Sequence, residues 1–153
     1  MANKKIFLIL ISLAFLSSSC LAKFYKPSDS PYQTPLMVGE KRIFVEIVSD
    51  DEKLKNGLTG RQKLKDDEGM LFDFRERENK RPSFWMKGML FDIDIIWIKN
   101  FKITEITRGA SVPRDTFETL PLYPPPSNID MVLEVREGWT DLYNVNVGNK
   151  IQF

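Results

Sequence analysis

Two aspartates two residues apart, Asp92 and Asp94, stand in the run FDIDIIWI at residues 91–98. On a strand they share a face, where two carboxylates could work as acid and base or hold a hard cation such as calcium. The same spacing also suits solvent exposure or ion pairs with Lys87 or Arg61. In SFWMK, residues 83–87, alternation sends Phe84 and Met86 to one face and Ser83, Trp85 and Lys87 to the other. Trp85 beside Lys87 offers a platform for a sugar ring or another flat ligand, with the ammonium meeting a carboxylate or phosphate. Covered on both faces, Trp85 would be core instead. Arg61 ends GLTGR, residues 57–61; its planar fork could clamp an anion or tie that segment to the sheet through Asp94 or Glu68. Tyr123 precedes three prolines at 124–126. An aromatic and a stiff polyproline stretch on a long loop can rim a site, dock a partner or cover the open end of a barrel. The expected ligand-binding set is therefore Arg61, Trp85, Lys87, Asp94 and Tyr123, with no catalytic group assigned, no metal site and no cofactor.

Composition removes several classes of chemistry. There is no histidine, which excludes imidazole as base, acid or metal ligand, and with it serine and cysteine triads and most zinc sites. The 22 basic and 21 acidic residues leave a formal charge of +1. Such a balance makes no basic field for a phosphate backbone, so no nucleic-acid partner is expected. No segment has the spacing of a phosphate loop, a metal cluster or a nucleophile elbow.

The chain opens MANKKIFLILISLAFLSSSCLA: Lys4 and Lys5, an apolar run at 6–16, then small residues. This is the pattern of a secretory signal peptide. The run is shorter than the roughly 20 residues a spanning helix needs, so no permanent transmembrane helix is expected. Cleavage after Ala22 would release a secreted, periplasmic or extracellular domain. Ser18, Ser19 and Cys20 alternatively resemble the end of a lipoprotein box, which would make Cys20 a lipid anchor, although Ser17 stands where a branched residue is usual. Either way the single cysteine forms no disulfide within the domain. Loss of residues 1–22 takes two lysines and no acid, moving the formal charge from +1 to −1.

Residues 23–40 carry Pro27, Pro31, Pro35 and Gly39 among polar residues and read as a linker, with a strand-like arm at 36–38 as the alternative. The domain is expected over 41–153. Period-two alternation predicts strands at 42–48, 91–98 and 129–135, with further extended segments at 68–74, 83–87, 103–107 and 150–153. Ser49 or Asp50 can cap a short helix that Gly57 ends. Asn100 suits a tight hairpin between residues 98 and 103. Residues 137–143 read as a second short helix whose Trp139 and Tyr143 face the core. The proline-rich stretch 109–128 cannot be a central strand. About six or seven strands, two short helices and short connections call for antiparallel pairing. The expected fold is mainly β, as a β-sandwich, a jelly-roll-like fold or a small barrel.

Read in order, GLTGR at 57–61, GMLFDF at 69–74, SFWMK at 83–87, DIDIIWI at 92–98, VLEVREG at 132–138 and VGNKI at 147–151 together resemble the DUF192 family. The resemblance covers roughly 42–153. It implies a single mainly-β domain, often exported, with a jelly-roll-like or barrel-like fold, and no established activity. The chain departs from the family pattern after WMK. Gly88, Met89 and Asp92 stand where an amide, a hydroxyl residue and a proline-led pair are usual, while Asp94 matches the usual acid, and no cysteine lies in the proline-rich loop.

The function expected from the sequence is an exported ligand-binding or accessory module of the cell envelope, with a wall glycan or small anionic ligand as partner. The rivals are a carboxylate-dependent glycan hydrolase built on Asp94 and a second acid, and a structural partner of another envelope protein.

Overall fold

The period-two stretches form the strands of a curled sheet. The computed structural model describes residues 29–78, 82–114, 120–126 and 128–153. The signal-like segment 1–22, with Cys20, lies outside the described residues. Nine strands and two helices follow: β1 (Thr34–Val38), β2 (Lys41–Val48), α1 (Asp51–Asn56), β3 (Glu68–Asp73), β4 (Phe84–Trp85), β5 (Ile93–Lys99), β6 (Lys102–Ala110), β7 (Leu122–Tyr123), β8 (Met131–Arg136), α2 (Trp139–Leu142) and β9 (Ile151–Gln152). Seven of the strands form one sheet in the order β6-β5-β8-β3-β2-β1-β9, while β4 and β7 pair as a separate ribbon. The two end strands approach each other, with Lys102 bridging Lys150 and the Ile151 amide donating to the Phe101 carbonyl at 2.9 Å. The sheet is thus a half-barrel, and the expected mainly-β class holds. Among the described residues no helix is long and apolar enough to cross a membrane.

One apolar cluster draws on all seven strands, with Leu36, Ile43, Leu71, Ile96, Ile103, Leu133 and Ile151 among its members, and is therefore the inside of the curl. A second cluster lies on the outer face of the central strands. There Met70, Phe72, Ile95, Trp97 and Val132 are covered by Leu58, Leu64, Phe84, Met86 and Met89. Strands β3, β5 and β8 are consequently buried on both sides. This is why they read as nearly unbroken apolar runs, and each large side chain so buried stabilises the fold by roughly 1.5–3 kcal/mol.

Local chemistry behaves as the residue types predict. Asp50 caps α1 by accepting the Lys53 amide at 2.9 Å, and Gly57 ends it at φ 50°. The β5–β6 hairpin places Asn100 and Phe101 at φ 50° and 58°, the left-handed pair whose twist matches the flanking strands. Trp139 is buried and packs on Tyr143, with ring centroids 5.2 Å apart.

Three features differ from the expectation. Pairing is not wholly antiparallel: β2 and β3 run parallel, because residues 49–67, with α1 inside them, are long enough for a crossover. The stretch 23–40 is not all linker, since β1 pairs with both β2 and β9 and fully buries Leu36 and Val38. Among the described residues strands number nine rather than six or seven, because β1 lies in that stretch and Leu122–Tyr123 leaves the proline-rich segment to pair with β4.

Candidate functional site

Strand β8 sends Met131, Leu133 and Val135 into the curl, which leaves Val132 and Glu134 on the outer face. In register, Glu134 sits between Met70 of β3 and Ile95 of β5, and Glu46 of β2 lies beyond Met70 in the same row. Glu134 is only 5 % exposed. Its side chain makes no hydrogen bond or ion pair with another described residue. Burial pushes its carboxyl up to about 8, against a smaller opposing pull from the Arg61 guanidinium. A carboxyl in that range is largely neutral at pH 7.

Above Glu134 opens a cleft of about 1080 Å³ with Leu54, Leu58, Phe72, Phe84 and Met89 in its walls and Trp85 at its edge. Its geometry follows from local conformations. Gly57 turns the chain so closely over Phe72 that a Cβ there would stand 3.3 Å from the ring. Two hydrogen bonds then stitch the following loop to the turn after β4: the Thr59 hydroxyl donates to the Lys87 carbonyl at 3.2 Å, and the Gly60 amide to that of Gly88 at 3.0 Å. Gly88, at φ 71°, could not carry a Cβ without meeting the Thr59 methyl at 2.8 Å. On the other side Phe84 stands edge-on to Phe72, Phe74 and Trp97 at centroid distances of 5.0, 6.4 and 5.5 Å. The rim is basic. Lys55, Arg77 and Lys99 line it against Glu78, with Arg77 paired to Asp51 and Lys99 to Asp130.

The five residues singled out in the sequence fall in different places. Trp85 is 45 % exposed at the cleft edge, and the alternation that turned Phe84 and Met86 inward holds. Lys87 points to solvent outside the cleft lining and contributes its backbone carbonyl. Arg61 pairs with neither Asp94 nor Glu68: it donates at 2.6 Å to both Glu46 and the Tyr32 hydroxyl, because the row facing its loop presents Glu46. Tyr123 opposes Phe84 in the ribbon and packs on the outer-face core. Asp94 departs most from the expectation. It is completely buried and accepts the Gly109 and Gly138 amides on one oxygen, and the Thr140 amide and hydroxyl on the other. Asp92 likewise accepts the Val112 amide at 2.7 Å. Both carboxylates therefore hold backbone rather than facing a ligand. Among the described residues no group of three or more acids or cysteines could hold a metal ion.

Glu134 escaped the sequence because VLEV alternates like a half-exposed strand. The signal was the isolation of one acid between apolar neighbours in a strand long enough to be central.

Arg61 bonds one carboxylate of that row, Glu46, and acts on the other, Glu134, only through its charge. Arg61→Ala is expected to leave Glu46 without its cation, at a cost of about 2 kcal/mol, and to move the Glu134 carboxyl still further above the ordinary range. Urea unfolding and an NMR titration of the Glu134 side chain check the two effects. An unchanged titration would show that Arg61 does not act on Glu134.

The family model DUF192, Uncharacterized ACR, matches residues 34–153. Two solved structures resemble the fold. A protein of unknown function from Novosphingobium aromaticivorans is 24% identical with TM-score 0.70, over 90% of this chain and 99% of that one. A "putative transcription regulator" from Sinorhizobium meliloti is 27% identical with TM-score 0.62, over 77% and 89%. No curated protein matches the chain.

Proposed function

The chain belongs to the uncharacterised DUF192 family, and on the evidence of its own site we propose that it is a small-ligand-binding β module. The observation that carries this reading is the cleft itself: apolar and aromatic walls, an aromatic edge, and at its floor one buried carboxyl without a partner among the described residues. Ligand sites have this character, a mostly apolar concavity with few polar groups to fix orientation. Glycan fragments stacking on Trp85 are one class to try, with small anions at the rim lysines another. The hydrolase alternative loses its acid, because both oxygens of Asp94 are already engaged.

Export belongs to the same proposal, on the strength of residues 1–22. Mass spectrometry of the cell-purified protein tests it: a chain starting at Lys23, or at a lipidated Cys20, supports export, and an intact leader in the cytosol refutes it.

The test of binding is thermal. A ligand that binds only the folded state raises the melting temperature, so a panel of wall fragments, sugars and organic anions should contain one that does so. Trp85→Ala removes a side chain that is nearly half exposed, so it should stay folded, with a lower melting point of its own, while abolishing the ligand's shift. A shift that persists in Trp85→Ala would move the site elsewhere, and a flat panel would argue for a protein partner instead.

A further inference from the structure

Resting on the cleft as a binding site, we propose that Glu134 is its ligand-contacting acid and works in the neutral form, donating its O–H to a carbonyl or hydroxyl oxygen of an uncharged ligand with a flat apolar body. A buried polar group left unmatched is costly, and among the described residues the Glu134 side chain has no hydrogen-bond or ion-pair partner. The floor of an open cleft is the place where a ligand can provide that partner.

Three observations choose a neutral donor over a carboxylate waiting for a cation. The side chains directly across from Glu134 are Met70 and Ile95, which stabilise no charge. The nearest guanidinium, Arg61, is already engaged by Glu46 and Tyr32. Among the described residues of the rim, Arg77 and Lys99 are paired with Asp51 and Asp130, and Lys55 stands with Glu78, so the rim has no surplus of acids to draw in an ammonium ligand. The remaining charged groups on that face, Glu68 and Arg136, lie one residue pair further along. They are engaged by Lys65 and Asp66 respectively. The aromatic walls, Phe72, Phe84 and Trp85, suit a flat body. Burial favours the same neutral form of the acid.

The experiment compares two naphthalene probes by calorimetric titration of the purified protein: prodan, an uncharged ketone, and 1-naphthylmethylamine, a cation. Prodan is expected to bind at about pH 6 and to weaken roughly tenfold for each pH unit above the Glu134 titration. Glu134→Gln, whose amide N–H still donates, should bind prodan with that pH dependence removed. Glu134→Leu, shown folded by circular dichroism, should bind it at least roughly tenfold more weakly. If Glu134→Leu fails to fold, the pH profile and Glu134→Gln decide alone. Tighter binding of the amine than of prodan, strengthening as pH rises and lost in Glu134→Gln, would overturn the neutral-acid proposal and leave the cleft reading standing. Binding of neither probe would overturn the proposal, and a flat thermal panel besides would remove the cleft reading with it.

Discussion

Asp94→Ala is expected to remove a large fraction of the protein's folding stability. The side chain is wholly buried and accepts four hydrogen bonds, from Gly109 at 3.0 Å, Gly138 at 3.3 Å, and the Thr140 amide and hydroxyl at 3.0 and 2.7 Å. These donors belong to β6, to the turn after β8 and to the first turn of α2. One carboxylate thus ties three segments together. Gly109 and Gly138 have φ of 62° and 70°, a conformation that glycine adopts without steric penalty. Removing the carboxylate strands all four donors in the interior, which costs about 3–5 kcal/mol out of a total stability of about 5–15. Asp94→Asn keeps the shape, yet its amide nitrogen cannot accept, so the donors on one side still go unmatched. Urea unfolding followed by tryptophan fluorescence measures both. A wild-type midpoint in Asp94→Ala would show that water takes over the role of the carboxylate and that the network is not what holds these segments.

The second large effect is on pH dependence. Burial pushes the Glu134 carboxyl up to about 8 in the folded protein, against an ordinary 4.5 for a solvated glutamate. Between those values the folded state binds more protons than the unfolded one, so its contribution to stability falls as pH rises. It is fully present below about 4.5 and fully lost above about 8. The slope approaches about 1.4 kcal/mol per pH unit inside that window. Glu134→Gln has no proton to lose. It should be the more stable protein by a few kcal/mol at pH 8, with the gap closing toward pH 5, in contrast to the usual penalty for altering a buried residue. Chemical denaturation at several pH values checks it. Parallel pH profiles for the two proteins would mean that Glu134 is solvated and titrates normally.

Both effects belong to acids buried in the same sheet, and they show how a carboxylate's role depends on its surroundings. Asp94 meets four hydrogen-bond donors and is locked in place by them. Glu134 meets methionine and isoleucine and favours its proton. Nothing in DIDI or VLEV distinguishes the two, since each is an acid alternating with apolar residues.

Much of the fold was legible. Strands, the capped helix α1 and the Asn100 turn follow from period two, a side-chain cap and left-handed backbone, all of which act within a few residues. Trp85 was legible as the exposed side of SFWMK for the same reason, and so was the buried Phe84 and Met86 side. The parallel pairing of β2 with β3 was not, because it depends on where a crossover returns. The half-barrel's end-to-end contact at Lys102 and Lys150, the pairing of Arg61 with Glu46, and the ribbon that brings Tyr123 to Phe84 are also decided by residues far apart along the chain. The site belongs to that second kind. The sequence by itself determined which residues alternate, where the turns fall and that no imidazole takes part. Only the tertiary structure decided that the outer face of β8 would be roofed by the 57–60 loop and β4, because burial is set by what packs across a strand, and that determines whether an acid ends up solvated, locked or alone at the floor of a cleft.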